Sequence, residues 1–315
     1  MSENFEAIET AAVSEIPAEQ RLSACRKTFK RLGLAVLLMV VITLVVGMLG
    51  GAFFPQFSES IFMIMLMSVV PTYFVALPLA WLFIRKLPVA VPEKKSMKLG
   101  GLLTALIISL FFMYVGNLAG NGLSALLRSL FKIPANDAIQ SMLLEGSVVM
   151  VIFATLIAPV LEELVFRKIL IDRMSVFGEK LAVICSALVF CLFHQNLNQV
   201  FYTFGMGLVM GYVYLRTGKI GYTMLLHVAI NAMGSIVAPA LAANPNLAIV
   251  MIIYMLAVLV AGLILLLRVR RKLEFKEAQM ELPKGKRFKT AILNVGMLLF
   301  IICTLAVTVI NAVFA

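Results

Sequence analysis

The sequence predicts an all-α protein, a polytopic transmembrane helical bundle of about eight to nine spans. Three observations carry that expectation. Of the 315 residues, 62% are hydrophobic and only 14% charged, and the mean hydropathy is +1.02, too apolar for a core wrapped in a water-facing shell. Apolar windows of roughly 20 residues, the length a helix needs to cross the hydrocarbon of a bilayer, recur along nearly the whole chain. The basic residues gather in the short connections between those windows.

Residues 1–31 begin acidic (Glu3, Glu6, Glu9, Glu15, Glu19) and become basic from Arg21 to Arg31. A cleaved signal peptide places its positive residues first, so this segment is expected to be a disordered cytoplasmic tail. An N-terminal unit, 32–98, holds spans near 32–54 and 60–84. The core unit, 99–245, holds windows near 99–123, 147–170, 180–197, 199–216 and 220–242, of which 180–197 and 199–216 are short. Between them 124–146, with Pro134, Asn136 and Asp137, reads as an external loop with an amphipathic piece. The C-terminal unit, 246–315, has spans near 247–268 and 291–313. They are joined by a basic cytoplasmic linker, 270–290, long enough for a surface helix against anionic lipid. Gly116 and Gly120, like Gly207 and Gly211, have the small-xxx-small spacing that lets helices approach closely.

Charge then sorts the partner classes. A net charge of +11 would suit nucleic acid if it formed one patch. With residue 1 inside, however, the loops around 21–31, 85–98, 167–180, 216–219 and 268–289 contain 25 of the 27 Lys and Arg, leaving only Arg128 and Lys132 outside. That asymmetry describes a multi-pass cell-membrane protein with a cytoplasmic N-terminus. Its surroundings are the lipid bilayer, not nucleic acid. The four cysteines, Cys25, Cys185, Cys191 and Cys303, are scattered and imply neither a disulfide framework nor a thiolate metal site.

Ionisable groups at membrane depth cost on the order of 2.5–3.5 kcal/mol each on insertion scales and are functional candidates for that reason. Only Glu162 and Glu163, among 16 acidic residues, lie well inside an apolar window, and both histidines of the chain, His194 and His227, do too. Glu163 and Arg167 are four apart and can pair, which offsets part of the burial cost. Phe190 with His194, and His227 with Asn231, have the same spacing and share a helix face. Glu162 lies sixteen residues before Gly178 and His194 sixteen after it, so antiparallel helices bring them to one depth, at most ~24 Å from the turn at ~1.5 Å per residue. His227 lies nine residues beyond Gly218, ~13 Å from that turn. The expected site is in the cytoplasmic half, with His227 about 10 Å nearer the surface.

Glu162-Glu163-Leu164-Val165-Phe166-Arg167 resembles the EExxxR motif of the CAAX protease and bacteriocin-processing family, also called Abi. Phe190 to His194 is similar to its FxxxH motif, and His227 to Asn231 to its HxxxN motif. The order, the preceding Ala158-Pro159 and the placement in successive windows fit as well; Lys168 stands where many members have glycine. The likeness covers roughly residues 100–245. It implies a metal-independent glutamic intramembrane protease, CAAX prenyl endopeptidase-like, acting without cofactor on a membrane-associated or lipidated peptide or protein. It also implies roles. Glu162 and His194 would activate a water, His227 and Asn231 would stabilise the oxyanion, and Glu163 with Arg167 would hold the motif.

The residues by themselves leave alternatives open. Buried carboxylates also bind cations or relay protons in transporters, and two His with a Glu are a known zinc set, although HExxH spacing is absent. Asn198 is a second polar partner within reach of His194. A non-proteolytic immunity or binding module could keep the same residues. Oligomeric state and substrate identity are not written in the sequence.

Overall fold

A computed structural model describes residues 16–55, 61–132, 148–242 and 244–314. Every regular element among them is helical. In chain order they are α1 (Ala18–Phe53), α2 (61–84), α3 (Leu99–Phe131), α4 (148–177), α5 (Glu179–Phe193), α6 (Leu197–Thr217), α7 (220–242), α8 (Pro245–Val269), α9 (Arg287–Ile292) and α10 (Val295–Phe314).

Six of these are long and apolar enough to cross a membrane: α1, Leu66–Ile84 within α2, α3, Ile220–Leu241 within α7, Asn246–Lys272 and Val295–Ala312. The helical membrane bundle is as expected, and the expected eight to nine spans compare with six helices that meet length and composition alone among the described residues. The three windows that fall short are 147–170, 180–197 and 199–216, for local reasons. Helix α4 carries Glu162, Glu163, Arg167 and Lys168 in its middle, α5 is only 15 residues long, and α6 opens on Asn198 and Gln199. Helix α5 is buried along most of its length, as is α4 from Val165 to Phe177.

Two expectations are corrected. The tail 1–31 was expected to be disordered, but α1 begins at Ala18; residues 1–15 lie outside the described residues. After Pro17 the chain has no Pro or Gly before Gly33, and Leu22, Cys25, Phe29 and Leu32 repeat at helical spacing and are buried in the main core. Packing, which the charge pattern does not report, extends the helix. The linker also forms no helix between Leu273 and Gly285. It lies as a strap across the Gly178 end of the bundle, where the Lys276 amide donates to Glu179 at 2.7 Å and the Met280 amide to the Val176 carbonyl at 2.9 Å. Leu282 is buried, and Phe275 and Met280 pack on the core. The strap's backbone finds partners on the core instead of within a helix turn. The predicted external loop starts later than 124, because α3 continues to Phe131; residues 133–147 lie outside the described residues.

Small residues set the spacing inside the bundle. A methyl group on Gly116 would strike the Tyr202 amide, one on Gly120 the Asn198 carbonyl, and one on Gly207 would stand 2.9 Å from Ala187 Cα. Helix α6 is thereby drawn against α3 on one side and α5 on the other, as both glycine pairs predict. At the other end of the chain, Gly296 of α10 fits directly against Lys30 and Gly33 of α1.

Candidate active site

Helix α4 is not a plain α-helix. Phe153–Ile157 and Leu164–Ile171 are π-helical, with Ala158–Glu163 between them in α geometry, and such wide turns collect at functional sites. Neighbouring helical residues point about 100° apart, so Glu162 and Glu163 face different surroundings.

Glu163 is fully buried, and both its oxygens are engaged. Oε2 accepts from Arg167 Nε at 3.1 Å, and Oε1 lies 3.0 Å from His227 Nδ1. Because a carboxylate paired with arginine only accepts, the His227 bond is Nδ1–H donating. Arg167, also fully buried, donates from Nη1 to Ser186 Oγ at 3.2 Å, and its guanidinium sits 4.8 Å from the Phe190 ring centre. Ser186 in turn donates to the Phe166 carbonyl at 2.6 Å. The EExxxR arginine thus ties α4 to α5 in an apolar interior, where a charge needs a partner and its remaining protons need acceptors.

Glu162 faces a cavity of about 220 Å³. Its other walls include Val40 and Thr43 of α1, Thr72 and Tyr73 of α2, Phe153 of α4, and Phe193 and Gln195 at the end of α5. Thr43 and Thr72 hydrogen-bond to each other across the α1–α2 contact. Glu162 Oε2 is 3.6 Å from His227 Nε2, too far for a direct hydrogen bond. His227 accordingly lies between the two carboxylates, one on each ring nitrogen. Ligands to one metal ion must converge on a point, and these carboxylates approach opposite nitrogens.

The depth estimate placed His227 about 10 Å from the glutamates, and the structure removes that gap. The estimate assumed regular, upright α-helices, and the π-helical turns of α4 hold more residues each. His194 is half-buried and caps the C-terminus of α5. Its Nδ1 lies 2.8 Å from the Phe190 carbonyl, an acceptor only, so Nδ1 carries the proton and Nε2 is left for another partner. No hydrogen bond or ion pair joins His194 to Glu162 among the described residues. Nor does Asn198 bond to it: that side chain accepts from Ser124. What connects the motifs is Phe190, whose ring packs at right angles to His194 (4.7 Å between centres) and His227 (5.8 Å) as well as under Arg167.

Asn231 donates from Nδ2 to the Ala154 carbonyl at 2.9 Å. The reason lies in α4. In its π register the Ala158 amide bonds to Phe153, so the next amide, the one due to Ala154, belongs to residue 159. Residue 159 is proline, which has no N–H. The asparagine supplies the missing donor and fixes α7 to α4.

Residues 144–233 match the family described as type II CAAX prenyl endopeptidase Rce1-like. This stretch is similar to that family over 90 residues. A curated relative, the membrane-embedded CAAX protease MroQ of Staphylococcus aureus (strain USA300), is 28% identical over 90 residues. Those residues are 26% of this chain and 36% of the relative, so the likeness spans little more than a third of the relative's length. No solved structure is matched. The matched segment includes Glu162, Glu163, Arg167, Phe190, His194, His227 and Asn231. It does not include the α1 and α2 walls of the cavity, nor Asn311 of α10, whose Nδ2 donates to the Gln195 carbonyl at 3.1 Å. Sequence reading passed over those parts. The visible signals were hydroxyls inside apolar windows (Thr43, Thr72) and a glutamine directly after His194. Gln195 is one of two non-glycine residues with positive φ among the described residues, at 49°, a conformation that costs an L-residue roughly 1–2 kcal/mol.

Proposed function

We propose that this protein is an intramembrane endopeptidase that hydrolyses peptide bonds of membrane-associated or lipidated substrates with a water activated by Glu162. The observation that carries the reading is the division of labour between adjacent carboxylates. Glu163 is closed off by Arg167 and His227, whereas Glu162 opens onto a cavity large enough for several waters at roughly 30 Å³ each.

In this reading Glu162 takes a proton from a cavity water as the oxygen attacks the scissile carbonyl carbon. His194 offers Nε2 to the same water, its other nitrogen being tied to Phe190. The carbonyl oxygen gains the negative charge and is stabilised by a doubly protonated His227, which gives Nδ1–H to Glu163 and keeps Nε2–H for the oxyanion. Asn231 contributes through the amide hydrogen that Ala154 does not use. The proton held by Glu162 passes to the amide nitrogen, the C–N bond breaks, and acid and amine products leave. Glu163 and Arg167 hold this arrangement without touching the substrate. The N-terminus is cytoplasmic in this reading, on the strength of the basic-residue asymmetry.

The test uses purified protein in detergent and a quenched fluorescent peptide carrying a farnesylated cysteine near its C-terminus, alongside the same peptide without the farnesyl group. Wild type cuts at least one of them without an ion gradient, and activity survives dialysis against a strong chelator. Glu162→Gln and His194→Ala lower turnover roughly 10²–10⁴-fold, the usual contribution of a general base, while the folded protein persists. Equal cleavage by wild type and Glu162→Gln would sink the mechanism.

A further inference from the structure

We infer that Gln195 binds the substrate's backbone, presenting its side-chain amide inside the cavity to the peptide bonds that flank the scissile one; the inference rests on the peptidase reading. Three observations meet at this residue. Gln195 is one of the residues lining the cavity that Glu162 faces. Its carboxamide forms no hydrogen bond with any described residue, although the main chain on both sides is fixed: the Gln195 amide donates to the Leu192 carbonyl at 3.1 Å, and its carbonyl accepts from Asn311 at 3.1 Å. Its φ of 49° is a left-handed conformation that glycine would adopt freely. A strained backbone persists where surrounding structure over-determines it, and it collects at ligand-binding positions. Here the strain has a geometric product. It ends α5 directly after His194, starts α6 two residues later under the Asn196 cap, and sets Gln195 at the wall of Glu162's cavity.

The chemistry indicates what is bound. A carboxamide offers two donors and an acceptor, the complement of a peptide group, and carries no charge that the membrane interior would penalise. Around it the cavity is mixed in character. Val40, Val69, Phe153 and Phe193 supply apolar surface, and the Thr43 and Thr72 hydroxyls are already bonded to each other. An extended peptide entering this space must find partners for its backbone groups, because unsatisfied ones are costly in a water-poor site. Asn231 has one donor committed to Ala154; Gln195 has both free. Asn311, reaching from α10 outside the matched segment, acts through Gln195 as a positioning residue.

The experiment measures binding apart from turnover. The farnesylated quenched peptide is compared with a version N-methylated at the amides flanking the scissile bond, by fluorescence anisotropy and by cleavage rate. Wild type binds the N-methylated peptide roughly 5–20-fold more weakly, the worth of one or two backbone hydrogen bonds. Gln195→Leu, close in size but unable to pair, binds the parent peptide weaker by a similar factor and no longer distinguishes the two peptides. Gln195→Asn, which tolerates positive φ, recovers part of the discrimination. Asn311→Ala lowers discrimination with KM raised more than kcat falls. Thermal unfolding in detergent identifies any variant that has merely lost its fold, and for Gln195→Leu the Asn variant then decides. Discrimination between the peptides that is unchanged in Gln195→Leu overturns the assignment, as does a wild type that binds neither. A Glu162→Gln protein that binds and discriminates normally but still cuts would count against the peptidase mechanism alone.

Discussion

Helices α8 and α5 are both apolar, and they do opposite things. The span Asn246–Lys272 has the highest mean hydropathy of the six candidate spans, 3.1, yet only 11% of its most apolar window is buried inside the protein. Helix α5, too short to qualify as a span, buries eleven of its fifteen residues, among them Glu179, Ser186 and Phe190. In water the most apolar helix would be the most interior. In a bilayer lipid tails are as apolar as leucine, so hydropathy marks the surface that meets lipid and does not mark the core. The interior here is recognised by what lipid would penalise: ionised groups, hydroxyls and a helix end, each with a protein partner.

The sharpest way to break the comparison is to remove one charge from the interior pair. Arg167→Leu leaves Glu163 buried without the cation that pairs it, and the protein should lose roughly 3–5 kcal/mol of stability, read as an earlier thermal transition in detergent. The Glu163→Leu, Arg167→Leu double variant should recover much of that loss while remaining inactive, because His227 would have lost the group that orients it. A double variant no more stable than Arg167→Leu would mean that packing around the pair, not its charge, sets the cost. The second test adds volume at the α3–α6 contact. Gly116→Leu meets the Tyr202 backbone and should cost about 1–3 kcal/mol, the usual range for overfilling a packed interior; no change in unfolding temperature would show that the two helices separate freely. The smallest effect belongs to the lipid-facing side. Ile253 of α8 is 62% exposed, and Ile253→Ala should move stability by no more than about 0.5 kcal/mol. A loss above 2 kcal/mol there would show that α8 is covered by protein in the membrane and that the contrast with α5 has been overdrawn.

Much of the site was legible because its pairs are local. Glu163–Arg167, Phe190–His194 and His227–Asn231 each lie four apart, and one helical turn brings each pair to a common face whatever the rest of the chain does. Distances between helices were less legible. Counting residues from Gly178 and Gly218 separated His227 from the glutamates, and the π-helical turns that help close the gap leave no pattern in composition. The Asn231–Ala154 bond was beyond reach for a similar reason: Pro159 marks a missing amide, but which carbonyl it abandons depends on whether the turn is α or π. The expected spans that length and composition mark least clearly are α4 to α6, where the polar residues of the candidate site lie. The α1 and α2 walls of the cavity, and the hold of Asn311 on Gln195, were invisible because residues such as Thr43 and Asn311 carry no motif.

The fit of Gly296 against Lys30 and Gly33 has a consequence for biogenesis. Helix α10, which covers the Gly33 face of α1, begins about 240 residues after α1 ends. At roughly 5–20 residues per second, the small-residue face of α1 waits on the order of 15–50 s after its own synthesis before α10 exists to cover it. For that interval the nascent chain carries an open, close-packing groove in the membrane. An insertion chaperone, or the earlier helices themselves, must keep other proteins' helices out of it, and a protein truncated before Val295 would keep that groove for its lifetime.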